Sequence, residues 1–218
     1  MSDKKRYFTS DQHFGHTNIL VYEDERRRDE FGNRFKSTDE MDSFIIDKWN
    51  ATVGENDLTY CLGDFCYKMQ QMRDVLPFLN GEKILIAGNH DPFFKKLTKG
   101  GKESQGNARD LAIEAGFSDL HLELELDLPG IGLTKLSHFP YAPVNKDGMA
   151  ESELRYLEIR PQAERESLLL HGHVHSKWLT QQDACRPPMI NVGVEMWGMR
   201  PVSEVEIVSL FTKLKSGE

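Results

Sequence analysis

At 218 residues the chain has room for one domain with a substantial buried core and little left over for a second. Lys and Arg number 27 against 35 Asp and Glu, a formal net charge of −8, which argues against indiscriminate binding to nucleic acid or membrane surfaces but leaves a small phosphate substrate open. The odd set Cys61, Cys66 and Cys185 lacks CxxC spacing, so neither a disulfide framework nor a thiolate zinc cluster is expected, and no apolar run reaches the roughly 20 residues of a membrane span. MSDKKRYF carries charge without an apolar stretch, and a soluble, cytoplasmic protein is the expectation.

In chain order, YFTS (7–10) predicts a first strand running into DQHFGH, where Asp11 and His13 stand two apart and share a face if the strand continues. The polar stretch 22–36 has no clear period; Arg26, Arg27 and Arg28 lie among Glu23, Asp24, Glu25, Asp29 and Glu30, a locally neutralised run expected to be solvated. Ser37 or Thr38 as cap, then Met41, Phe44, Ile45 and Trp49 at helical spacing, predict a helix over 39–51. The runs DLTYCLGDF (57–65) and KILIAGNHD (83–91) predict buried strands that deliver Asp64, and Asn89 with His90 and Asp91, at their C-terminal ends. Helices are expected over 69–79 and over 108–115, the latter closed by Gly116. From residue 120 the texture changes: HLELELDL alternates, Pro129-Gly130 turns and GLTKLSHFP returns, an antiparallel hairpin that begins at a surface His121 and delivers His138. Residues 167–175, 189–197 and 205–210 read as further strands. The polar segment 141–166 is left unassigned, with Tyr141, Asn145, Lys146 and Arg155 as groups able to cap a pocket, and nothing divides 1–218 into more than a single domain.

Five strand ends thus offer carboxylate, amide oxygen or imidazole and no thiolate: Asp11 and His13, Asp64, Asn89 to Asp91, His138, then His173 and His175. In open α/β arrangements such ends converge on one rim. So many ligands suit two divalent cations, and a nitrogen and oxygen set suits Mn(II) best, with Fe or Zn as alternatives. A pair of cations about 3.5–4 Å apart clamps the two oxygens of an in-line displacement and lowers the pKa of bound water to about 7, which makes metal-assisted phosphoester hydrolysis the natural reaction. Asp64, alone at its strand end, is the natural shared ligand. A strand-end Asp-x-His or Gly-Asp alone says little; the order and joint presence of the blocks carry the inference.

The set resembles the five signature blocks of the calcineurin-like metallophosphoesterases, in order over 11–175: D-x-H (Asp11, His13), G-D (Gly63, Asp64), G-N-H-D (Gly88 to Asp91), a lone His138, and G-H-x-H (Gly172 to His175). SDQHFGHTNI and NVGV are similar to a compact bacterial and phage subgroup. The resemblance implies an αββα sandwich, two mixed β-sheets flanked by helices, with a dinuclear site at one rim. It implies Asp11, His13 and His175 on one metal, Asn89, His138 and His173 on the other, Asp64 on both, a hydroxide between the metals as nucleophile, and His90 as general acid oriented by Asp91. GDFCYKM lacks the V-D-R-G continuation of the protein phosphatase branch, which favours a phosphodiester or nucleotide-like substrate, cyclic nucleotides included, over a phosphoprotein; a phosphomonoesterase is the alternative and a non-catalytic scaffold the remoter one.

Other positions stay open. His16 either reaches substrate phosphate or packs the loop. GNRF (32–35) is similar to an Asn-Arg-Pro-Phe of related sequences, which makes Arg34 a candidate phosphate contact beside the simpler reading of an exposed arginine. His171 is expected to be structural, and Asn191 either lines the site or ends a strand.

Overall fold

The computed structural model describes residues 4–23, 25–143, 151 and 154–217. Its strands are β1 (Arg6–Thr9), β2 (Leu58–Cys61), β3 (Glu82–Ile86), β4 (Asp119–His121), β5 (Glu123–Leu128), β6 (Gly132–Ser137), β7 (Leu168–His171), β8 (Thr180–Asp183), β9 (Arg186–Asn191) and β10 (Val202–Ser203). Its helices are α1 (Ile19–Tyr22), α2 (Thr38–Thr52), α3 (Met69–Val75), α4 (Phe94–Lys99), α5 (Lys102–Ala115) and α6 (Glu204–Ser216). They build two mixed five-stranded sheets flanked by helices, ordered β10-β1-β2-β3-β4 and β5-β6-β7-β9-β8. β1 to β4 run parallel with β10 antiparallel at the edge; in the second sheet β6, β7 and β9 are parallel, with β5 and β8 antiparallel.

Alternation explains why the first sheet is covered on both faces. Along β2 and its exit, Cys61 turns toward the helices while Tyr60 and Leu62 turn toward the second sheet; along β3, Leu85 and Ala87 oppose Ile84 and Ile86. The helical side gathers Met41, Ile45 and Trp49 of α2 with Met72 of α3 and Ala108 and Ala112 of α5. Trp49 is fully buried and gives its indole N–H to the Asn80 carbonyl at 3.0 Å, so neither its ring nor its polar atom is wasted. Between the sheets, Phe8, Tyr60 and Ile86 meet Leu136, Leu168, Leu170 and Ile190. The far face of the second sheet carries a smaller cluster of Tyr141, Leu169 and Met189 with Trp178.

Several elements differ from the sequence reading. The segment 205–210 is helix, not strand: Ser203 accepts from the Glu206 amide while Glu206 reaches back to the Ser203 amide, a capping box that opens α6, and Ile207 and Phe211 fall one turn apart into the inter-sheet core. The helix expected over 69–79 ends its α-turn at Val75 and tightens into a 3-10 turn (Leu76–Phe78) around Pro77. α5 begins at Lys102, six residues before the expected start, and α4 and β8 were not foreseen. His121 does not open the hairpin: it ends β4, pairs with β3 and lies 3.0 Å from Asp119.

Candidate metal centre

Three adjacent parallel strands of one sheet, β1, β2 and β3, and two of the other, β6 and β7, end on the same rim. Asp11 and His13 follow β1, Asp64 follows β2, Asn89 to Asp91 follow β3, His138 follows β6, and His173 and His175 follow β7. The structure brings them together. Ligand atoms of Asp11, His13 and His175 lie within 4.8 Å of one another, as do those of Asp11, Asp64 and His138. Asp64 Oδ2 is 3.6 Å from His13 Nε2 and 3.5 Å from His138 Nε2, and Asn89 Oδ1 is 3.2 Å from that same His138 nitrogen. The His173 ring is 5.2 Å from the His138 ring, and its amide donates to Asp11 at 3.0 Å.

The backbone is bent to achieve this. Of the seven non-glycine residues with positive φ among those described, five are Asp11, His13, Asp64, His173 and His175. Each costs on the order of 1–3 kcal/mol in an L-residue, so the rest of the fold must hold them there. Two motif glycines make the approach possible: a Cβ on Gly88 would lie 2.3 Å from Asp64 Oδ1, and one on Gly172 would lie 1.9 Å from Ser10 Oγ. Irregular amide contacts carry the β1–β2 pairing past the strands, from Asp11 to the Gly63 carbonyl and from His13 to the Asp64 carbonyl.

Tautomers are set from behind. His138 Nδ1 sits 2.8 Å from the Leu62 carbonyl and His175 Nδ1 3.0 Å from Glu195 Oε1; as donors there, both rings turn Nε2 into the cluster. Neither nitrogen of buried His13 has a hydrogen-bond partner among the described residues, an orphaned pair that a cation would satisfy on one side. Burial pushes Asp11 up to about 6 and would raise Asp64 too, but His138 and His13 hold Asp64 well below the carboxylate range. Burial likewise lowers His13 and His173, whereas in His138 and His175 the facing carboxylates overcome burial and raise each to about 9. These are carboxylates and imidazoles in mutual electrostatic contact, with oxygen and nitrogen donors suited to a divalent cation.

His90 stands at the mouth with Nε2 3.9 Å from Asp64 Oδ2, half-exposed, its pKa lowered by burial against the pull of Asp64. Asp91 does not orient it. The Asp91 carboxylate is spent on main-chain donors: Oδ1 accepts from Phe65 at 2.9 Å and Cys66 at 3.3 Å, and Oδ2 from Gly88 at 2.8 Å and Asp64 at 3.0 Å. It braces the loop that presents Asp64, because buried amides at a strand end need acceptors. His16 joins the rim, its ring 5.3 Å from His13 and 4.6 Å from Tyr67, while Tyr67 stacks edgewise on His90 at 4.7 Å. Arg34 lies exposed in a bridge with Arg28.

The arginine that serves this rim is Arg27, expected to be solvated and in fact buried. Its guanidinium donates through Nε to Glu195 Oε1 at 2.9 Å, through Nη2 to the same oxygen at 2.6 Å, through Nη1 to the Gln12 carbonyl at 2.8 Å, and to the Asp11 carbonyl. Arg27 thus clamps the strained Asp11 turn to the carboxylate that holds His175. Burial would raise Glu195, but Arg27 and His175 bring it down to about 2. Neither residue stands in a recognisable motif; the one signal was an acidic side chain directly after NVGV. Asn191 anchors the same loop, donating to the His175 and Trp178 carbonyls at 2.7 and 3.0 Å, and His171 is structural, fully buried with Nδ1 2.7 Å from the Gly172 carbonyl. Tyr141 is buried, Arg155 is exposed, and Asn145 and Lys146 lie outside the described residues.

No helix among the described residues is long and apolar enough to cross a membrane. No family model matches the chain. It is similar in structure to the protein of unknown function AQ665 from Aquifex aeolicus, at 25% identity and a TM-score of 0.61 over 95% of this chain and 100% of that one. A phosphopantetheinyl hydrolase from Mycobacterium tuberculosis lies further off, at 12% identity and a TM-score of 0.44, a likeness on which nothing rests. In sequence it is 31% identical to the gene 66 protein of Mycobacterium phage D29 over 91% of this chain and 92% of that protein. It is 30% identical to uncharacterized protein MJ1445 of Methanocaldococcus jannaschii over 99% of this chain and 96% of that protein. With identity of that order along nearly its whole length, the chain belongs to the family of MJ1445 and the phage gene 66 protein.

Proposed function

We propose that the protein is a metal-dependent phosphoester hydrolase with a preference for diesters or nucleotide-like esters. The observation that carries this reading is the convergence of four strand ends on two overlapping groups of ligand atoms that share Asp11, with Asn89 from a fifth strand end 3.2 Å from His138 Nε2. In this reading Asp11, His13 and His175 hold one cation, Asn89, His138 and His173 a second, and Asp64, between His13 and His138, serves both. Bound there, two divalent ions supply Lewis acidity toward a phosphoryl oxygen and a lowered pKa for water. The chain's own contribution is to fix the donors, neutralise the carboxylates and hold His90 at the opening. From that place His90 Nε2 gives a proton to the departing alkoxide, a role its half-exposed position and the Asp64 charge beside it favour. The lack of a V-D-R-G block after Gly63-Asp64 supports the diester over a phosphoprotein substrate.

The test is hydrolysis of bis(p-nitrophenyl) phosphate against p-nitrophenyl phosphate, with chelator-stripped protein refilled with Mn(II) and with Fe or Zn in its place. Metal-dependent turnover favouring the diester is expected. His90→Ala should keep its metal content and lose more activity on a poor leaving group than on p-nitrophenolate, whereas Asp64→Asn should lose metal as well. A monoester preference would make the protein a phosphatase, and no turnover with both metals bound would remove the hydrolase reading.

A further inference from the structure

His90 stands at the mouth of the cluster without a hydrogen bond to its ring. Its amide is anchored, donating to Asp64 Oδ1 at 2.9 Å, but Nε2 lies 3.9 Å from Asp64 Oδ2, beyond hydrogen-bond reach, and Asp91 turns its carboxylate to the main chain. Among the described residues neither ring nitrogen has a hydrogen-bond partner. A side chain that must come within about 2.6–3.2 Å of the atom it protonates cannot be free to change rotamer. Something other than a hydrogen bond has to hold it.

The ring contacts name the group that does. Of the three described rings that meet His90, Tyr67 is the nearest, 4.7 Å away at an interplanar angle of 64°, the edge-to-face arrangement that aromatic pairs prefer. His13, a candidate ligand, follows at 5.4 Å and His16 at 6.4 Å. Tyr67 is itself held, its ring 4.6 Å from that of His16 and its chain fixed on both sides. The Phe65 and Cys66 amides donate to Asp91 Oδ1 at 2.9 and 3.3 Å, and the Cys66 thiol reaches the Lys68 carbonyl at 3.3 Å. Asp91 thus braces the segment that carries Tyr67, and Tyr67 meets the imidazole. The Tyr67 hydroxyl makes no hydrogen bond among the described residues, so the ring is what this side chain brings to His90.

We propose that Tyr67 is a positioning residue, whose ring fixes the His90 imidazole at the opening in place of the carboxylate of Asp91. The inference rests on the hydrolase reading for its catalytic consequence but not for the placement of the ring. What matters at position 67 is then an aromatic ring and not a hydroxyl. Without it the imidazole changes rotamer, and a misplacement of about 1 Å can cost about a hundredfold in rate, here only where the leaving group needs a proton.

The experiment has two arms. In the metal-free protein with carbon-13 histidine, the cross-peak between the ring protons of His13 and His90 is compared among wild type, Tyr67→Leu and Tyr67→Phe, with signals assigned by replacing single histidines. The cross-peak should be present in wild type and Tyr67→Phe and be weakened or lost in Tyr67→Leu. In the metal-loaded protein, kcat/KM is measured for bis(p-nitrophenyl) phosphate and for diphenyl phosphate, whose phenolate leaves less readily. Tyr67→Leu should keep its metal content and lose at least about tenfold more on diphenyl phosphate than on the nitrophenyl ester. Tyr67→Phe should restore the wild-type ratio, and in a His90→Ala background Tyr67→Leu should leave the ratio unchanged. A cross-peak missing from wild type or undiminished in Tyr67→Leu would overturn the inference, as would an equal loss on both esters, a loss of metal, or a ratio that Tyr67→Phe fails to restore. If neither ester is turned over with metal bound, the hydrolase reading fails and the cross-peak alone decides the placement of the ring.

Discussion

At the scale of single residues, the candidate donors are held from behind by buried charged partners. Glu195 is the clearest case: one oxygen serves Arg27 and His175 at once, and its neutral amide counterpart could not offset the buried guanidinium charge. Glu195→Gln is therefore expected to weaken metal binding about 10–100-fold and to lower the melting temperature even without metal, read by calorimetric titration and by thermal unfolding of the stripped protein. Unchanged affinity would mean that the His175 ring needs no carboxylate behind it. The convergence of Asp11, His13, Asp64, His138 and His175 was legible in the sequence because strand ends, glycines and polar clusters are local signals. Arg27 and Glu195 were not, because a pairing across 168 residues leaves no local trace and because Arg27 stands in a run whose charges cancel on paper. Asp91 was legible as a member of G-N-H-D but not in its task, since main-chain acceptors at a loop are visible only once the loop is folded.

At the scale of elements, the buried strands were legible from apolar runs ending in polar residues, and the hairpin from alternation around Pro129-Gly130. The run VEIVSL misled because six residues of mixed apolar character satisfy both periods; what decides it lies outside, in the cap formed by Ser203 and Glu206. That cap is further tied by Arg200, which donates to Glu206 Oε1 at 2.6 Å. Ser203→Ala is expected to cost about 1 kcal/mol in denaturant unfolding, the usual worth of an N-cap hydroxyl. Glu206 adds a pH signature. Arg200 holds its carboxyl down at about 2, so its contribution is complete above the ordinary carboxylate range, near pH 4.3, and drains away as pH falls through about 2. Glu206→Gln should flatten that part of the stability profile; an acid limb identical to wild type would place the sensitivity elsewhere.

At the scale of the whole molecule, the two sheets act as jaws that force unfavourable backbone angles and facing carboxylates into one small volume. Cations that bind only this arrangement stabilise it by mass action, about 2.7 kcal/mol at a hundred times the dissociation constant. In a protein of this length, that corresponds to a melting temperature roughly 5–10 °C lower after chelation and restored by refilling. Identical melting curves with and without metal would show that folding does not depend on occupancy. The order in which the ligands occur along the chain has its own consequence. Asp11 and the His173 amide that donates to it are 162 residues apart, and Glu195 and the β10 strand that pairs with β1 come later still. On the ribosome, the first ligands emerge long before anything that can close around them. A cation site that needs Asp11 and Asp64 together with His138 and His175 cannot close before those later histidines have been made, so such a site follows the fold rather than seeding it.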